Sequence, residues 1–94
     1  MGAVSIKLRN ILDIEESTFT YDIPGQVSLF DMLSEWGVSN APGLAQRVFD
    51  PETGGVASTI MVIQNGRSVK SDDPKKTIVT PGDEITIFPI IVGG

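Results

Sequence analysis

Gly93 and Gly94 close the sequence behind the apolar run Ile90-Ile91-Val92. A glycine pair has no Cβ, so it can thread a channel too narrow for side chains and adopt extended or positive-φ backbone alike. The reactive group at its tip is the α-carboxylate of Gly94. Its reference pKa lies near 3.5, so at neutral pH it is an anion and a poor acyl donor. The side chains offer little competing chemistry, since the chain has no cysteine and no histidine. That removes disulfides, thiolate nucleophiles and thiolate-bound metals, together with the usual general base and the commonest metal ligand. A loose, idle tail is the other reading of such an ending; the apolar residues leading into it argue for a working arm.

Ninety-four residues suit one domain spanning the whole sequence, with a flexible tail over residues 90–94. A net charge of −5 argues against nucleic acid as a partner and favours encounter with a basic patch on another protein. No apolar run approaches the roughly 20 residues of a membrane span, and the N-terminus lacks a basic-then-apolar signal segment. A cytoplasmic protein that avoids membranes is the expectation.

The elements that must carry the arm follow from periodicity. Val4-Ser5-Ile6-Lys7-Leu8-Arg9 alternates with period two, putting Val4, Ile6 and Leu8 inward and Ser5, Lys7 and Arg9 toward water. Asn10 to Glu16 reads as a loop, in which Ile11, Leu12 and Ile14 either prolong the strand or cap the core edge. Ser17 to Ile23 alternates again and ends at Pro24-Gly25, so an antiparallel hairpin is expected. Ser28 caps a helix whose stripe is Leu29, Met32, Leu33 and Trp36, with Asp31 near the positive end of its dipole and Gly37 as its stop. At stripe spacing Trp36 belongs to the core. Leu44 to Phe49 makes one or two helical turns that bury Leu44 and Val48. Asp50 to Gly55 is a polar, mobile loop, and its Gly54-Gly55 lacks the spacing of a phosphate-binding loop. Thr59 to Ile63 is a strand whose inward face alternation leaves undecided. Asn65-Gly66 is a hairpin turn and Arg67 to Lys70 the returning strand. Ser71 to Lys76 is a charged loop and Thr77-Ile78-Val79 a brief strand. After the turn Thr80-Pro81-Gly82-Asp83, the last strand begins at Glu84 and runs toward the arm. Strand, strand, helix, short helix and three strands imply an α+β domain of two layers, with the last strand parallel to the first. Alternation that turns Ile85 and Ile87 inward turns Thr86 and Phe88 outward. An outward Phe88 is either a docking anchor, aromatics being enriched at interface hot spots, or is covered by a loop of its own chain.

The segment Pro81-Gly82-Asp83-Glu84-Ile85-Thr86-Ile87-Phe88-Pro89-Ile90-Ile91-Val92-Gly93-Gly94 resembles the C-terminus of the MoaD/ThiS sulfur carriers, and Asn65-Gly66-Arg67 is similar too. The element order matches their ubiquitin-like β-grasp fold, a mixed sheet of about four to five strands with one main helix packed across one face. The resemblance implies a carrier rather than an enzyme, or a small non-catalytic subunit of a synthase. An E1-like adenylating enzyme of the MoeB/ThiF type would activate Gly94 with ATP, and sulfur transfer would leave a thiocarboxylate there. The carrier itself would bind no cofactor or metal. Its sulfur would pass to a biosynthetic enzyme, such as a MoaE-like large synthase subunit, for molybdopterin, thiamine or cysteine. Without cysteine the chain cannot hold the sulfur as a persulfide, which leaves the terminus. Gly93 then belongs to the threading arm, while Phe88, Pro89, Ile91 and Val92 meet the partner. Phe88-Pro89 and the longer middle segment Leu44 to Gly55 lean toward the MoaD-like branch, although Ile90-Ile91-Val92 is bulkier than usual there. A ubiquitin-like modifier, joining Gly94 to lysines by isopeptide bonds, would use the same activation step.

Overall fold

The computed structural model describes residues 2–90. Gly93 and Gly94, together with Ile91 and Val92, lie outside the described residues. Nine elements follow in order: β1 (Gly2–Ile11), β2 (Ile14–Ile23), β3 (Val27–Ser28), α1 (Leu29–Asn40), α2 (Leu44–Val48), β4 (Ile60–Gln64), β5 (Arg67–Ser68), β6 (Ile78–Val79) and β7 (Glu84–Pro89). The main sheet has the order β2-β1-β7-β4-β5, with β7 parallel to β1 and antiparallel to β4. A central parallel pair needs a crossover, and α1 supplies it by packing its apolar stripe on one face of the sheet. This is the β-grasp fold.

The core comes straight from the alternation. Val4, Ile6 and Leu8 of β1, Ile85 and Ile87 of β7, and Ile60 and Val62 of β4 are all at most 1% exposed, and Leu29, Met32, Leu33 and Trp36 of α1 at most 2%. The inward face of β4, open from its sequence, is therefore Ile60 and Val62. Phe19 on β2 meets Trp36 edge to face, with ring centroids 5.2 Å apart. Ser28 caps α1 as expected, its Oγ accepting from the Asp31 N–H at 3.0 Å.

Several features differ from the sequence expectation. The loop over Asn10 to Glu16 shrinks to two residues, because β1 runs on to Ile11 and β2 starts at Ile14. Leu12 and Asp13 turn the corner with φ of 53° and 64°. That conformation strains a leucine, but Leu12 is tied down by packing against the core beside Ile11 and Ile14. Gly37 does not stop α1, which continues to Asn40. A Cβ on Gly37 would stand 3.4 Å from Leu44 Cβ, so the glycine sits where α2 packs closely against α1. The returning strand β5 ends at Ser68. Finally, β6 pairs with Val27–Ser28 in a separate two-stranded ribbon that the sequence did not suggest. The loop Asp50 to Gly55 closes on itself through Asp50 N–H to Gly55 O, Gly54 N–H to Asp50 O and Glu52 N–H to Asp50 Oδ1, each 2.8 Å.

Candidate functional site

The strand that leads to the arm is held at both ends. At its start, Asn65 and Gly66 make the expected hairpin turn with φ of 52° and 83°. The Asn65 side chain also reaches across to the turn before β7. Its Nδ2 donates to Asp83 Oδ1 at 3.0 Å, and its Oδ1 accepts the Glu84 N–H at 2.8 Å. Asp83 Oδ2 further accepts from Gln64 Nε2 and from the Thr80 N–H, both at 2.9 Å. Burial pushes the Asp83 carboxyl up, but the bonds from Asn65, Thr80 and Gln64 outweigh it and hold the group below its ordinary value.

A carboxyl with a depressed folded pKa stabilises the fold above its unfolded pKa, about 3.9, and loses that contribution as pH falls through the folded value. Asp83→Ala is therefore expected to cost about 1–2 kcal/mol at neutral pH. Its deficit against the parent chain should shrink below about pH 4. Denaturant melts of both proteins at pH 7 and pH 3 check this; an equal deficit at the two values would mean the network does not depend on the Asp83 charge.

At the far end, Phe88 lies on the sheet face opposite α1. Across β4 its registered neighbour is Met61, and on the β1 side the Arg9 guanidinium lies 5.7 Å from the ring centroid. Phe88 is thus half-buried, with the side chain of Arg9 on β1 beside its ring. Arg9 and Lys7 meet Glu16 of β2 at 3.5 and 3.8 Å, exposed pairs worth little to stability. The resulting face carries Phe88, Met61, Ile63 and Thr86, edged by two cations. Arg9 was legible in the sequence as outward-facing, but its place beside Phe88 follows only from the parallel pairing of β1 with β7.

Pro89, which lacks an N–H, ends β7, opposite Ile60 on β4. Ile90, the first residue of the expected tail, still donates its N–H to Thr59 O at 2.8 Å. The Ile91, Val92, Gly93 and Gly94 part of the site reading falls outside the described residues. Two clefts of about 360 and 500 Å³ lie along α1 and α2 around Phe30, Ala45 and Gln46, and neither is lined by Phe88, Pro89 or Ile90. Among the described residues no cluster of three or more histidine, cysteine, aspartate or glutamate side chains could hold a metal. Nor is any helix there long and apolar enough to cross a membrane. What the described geometry offers is a firmly seated strand, an aromatic face beside its end, and backbone continuing toward two glycines.

The model of the ThiS family matches residues 14–94. No curated protein matches the sequence significantly. Among solved structures, SAMP1 from Haloferax volcanii is 27% identical, with 99% of this chain and 100% of that chain covered and a TM-score of 0.72. The CysO complex with BexX from Amycolatopsis orientalis matches at 22% identity over 98% of this chain and 100% of that chain, TM-score 0.71. Small archaeal modifier protein 1 from Methanosarcina acetivorans matches at 22% identity over 100% and 98%, TM-score 0.62. The last two likenesses concern the fold alone.

Proposed function

We propose, from the premise that this chain belongs to the ThiS family of ubiquitin-like sulfur carriers, that Gly94 is its acyl terminus and is activated and loaded with sulfur by partner enzymes. The observation that carries this reading is the family match, which extends through Gly93 and Gly94. The chemistry agrees with it. The Gly94 carboxylate attacks the α-phosphorus of ATP in an E1-like enzyme of the MoeB/ThiF type, pyrophosphate leaves, and an acyl-adenylate forms. Hydrosulfide from a sulfur source then attacks the acyl carbon, AMP leaves with its bonding electron pair, and the thiocarboxylate produced is a sulfur nucleophile. This chain contributes the arm and the docking surface. With no histidine or cysteine, it leaves catalysis, ATP and the sulfur source to its partners.

The sulfur acceptor in this reading is a MoaE-like large synthase subunit that makes molybdopterin. Phe88-Pro89 and the longer middle segment support that branch over thiamine or cysteine biosynthesis. Phe88 and Pro89 dock on the partner while Ile91 and Val92 line the entry of its channel. The exposed flank of the Phe88 ring and its neighbour Met61 supply the apolar centre, and Lys7 and Arg9 face acidic groups on the partner.

Incubation with an E1-like enzyme, ATP and a sulfur source is expected to raise the intact mass by one sulfur-for-oxygen exchange. In the same assay Phe88→Ala should raise the KM for the carrier roughly 30-fold, the effect of losing about 2 kcal/mol at an interface hot spot. An unmodified mass with competent partners counts against the carrier, and an unchanged KM against Phe88 as anchor. The likeness to the modifier SAMP1 at 27% identity favours one second reading, isopeptide transfer of Gly94 to lysines. Lysine-linked conjugates in cells, in place of a thiocarboxylate, would select it.

A further inference from the structure

We propose that Lys70 is a positioning residue for the carboxyl arm: it fixes the point at which the chain leaves the body, and hence the reach of Gly94 into an activating enzyme. The inference rests on the carrier reading above. Its geometry centres on the turn Ala57-Ser58-Thr59-Ile60, closed by Ile60 N–H to Ala57 O at 3.0 Å. Lys70 Nζ donates to both end carbonyls of that turn, Ala57 O and Ile60 O, at 2.7 Å each. Of the two carbonyls between them, Thr59 O accepts the Ile90 N–H at 2.8 Å. Ile60 is also the registered partner of Pro89. The cation therefore braces the backbone that anchors the last described residue.

A half-buried ammonium with two carbonyl acceptors forms charge-assisted bonds, the stronger kind. Two of its three donors are engaged, so its role is structural support for the strand end and not attraction of a distant charge. From Ile90 the chain has four residues to run, which span at most about 13–14 Å when extended. Releasing the anchor adds a residue to the arm, and re-ordering that residue on a partner corresponds to roughly a tenfold factor in an equilibrium constant. That factor belongs to binding and should appear in KM, leaving kcat alone.

Lys70→Met keeps the apolar stem and removes the donors, while Lys70→Arg retains donors for two carbonyls. Amide hydrogen exchange of the free protein and ATP–pyrophosphate exchange with an E1-like enzyme read the two consequences. In Lys70→Met, the Ile90 N–H is expected to exchange about tenfold faster with Ile87 unchanged, and KM to rise about tenfold with kcat within about twofold. Lys70→Arg should restore both. Unaltered Ile90 exchange, an equal change at Ile87, an unchanged KM, or failure of Lys70→Arg to rescue each overturns the proposal. If the parent chain is not adenylated at all, the carrier reading itself falls; exchange at Ile90, which needs no enzyme, separates that outcome from failure of the clamp.

Discussion

A chain ending at Val92, with Gly93 and Gly94 removed, is expected to lose adenylation by at least about 100-fold while keeping its thermal midpoint within about 4 °C. The first figure follows from reach. Two extended residues span about 7 Å, and a misplacement of even 1 Å at a reacting centre can cost about 100-fold. The new terminus also carries an isopropyl side chain where the reading requires a bare backbone. The second figure follows from burial. Among the described residues the buried apolar side chains all lie between Val4 and Ile87. Changes that touch no packed or bonded feature alter stability by about 0.5 kcal/mol or less, equivalent to a few degrees in a domain of this size. Pyrophosphate release and a melting curve on the same two samples check both halves. Full adenylation of the shortened chain would remove the requirement for Gly93 and Gly94 from the mechanism.

Trp36→Ala should produce the largest loss of stability, about 3–5 kcal/mol. The indole is 2% exposed and sits where α1 crosses the sheet, against Phe19 of β2 at 5.2 Å. Its removal forfeits the burial of a large aromatic, leaves a cavity that the β2 hairpin and α1 close only in part, and ends an edge-to-face contact. A domain of this kind holds only about 5–15 kcal/mol in total, so the thermal midpoint should fall by roughly 12–40 °C. Chemical denaturation of parent and variant measures the difference. A loss below about 1 kcal/mol would place the indole outside the core, in conflict with its burial.

Much of the architecture was legible because it rests on local periodicity. Strict alternation from Val4 to Arg9 marks an amphipathic strand, and the spacing of Leu29, Met32, Leu33 and Trp36 marks a helix with one apolar stripe. Turn chemistry located the corners at Pro24-Gly25, Asn65-Gly66 and Pro81-Gly82 for the same reason, since these residues prefer backbone that others resist. Local rules failed where packing overrode them. Leu12 takes a positive φ that its own preference opposes, because the hairpin it closes buries Ile11 and Ile14. Gly37, a helix stop by propensity, stays helical inside α1, buried where α2 packs against the helix with Leu44 beside it. Ile78–Val79 was legible as a brief strand, but its partner Val27–Ser28, too short to show a period, was not.

The site divides along the same line. Residue order alone carried the expectation of the arm: two glycines behind an apolar strand, in a chain with no cysteine or histidine, are what the proposed reading builds its acyl terminus on. Which side chains brace that arm was decided only by the tertiary structure. Arg9 comes to Phe88 through the parallel pairing of β1 with β7, Asn65 to Asp83 across 18 residues, and Lys70 to Ala57 and Ile60 across 13 and 10. Periodicity reports which way a residue faces relative to its own element; who stands opposite depends on how distant elements are brought together, and that is settled by burying one shared core.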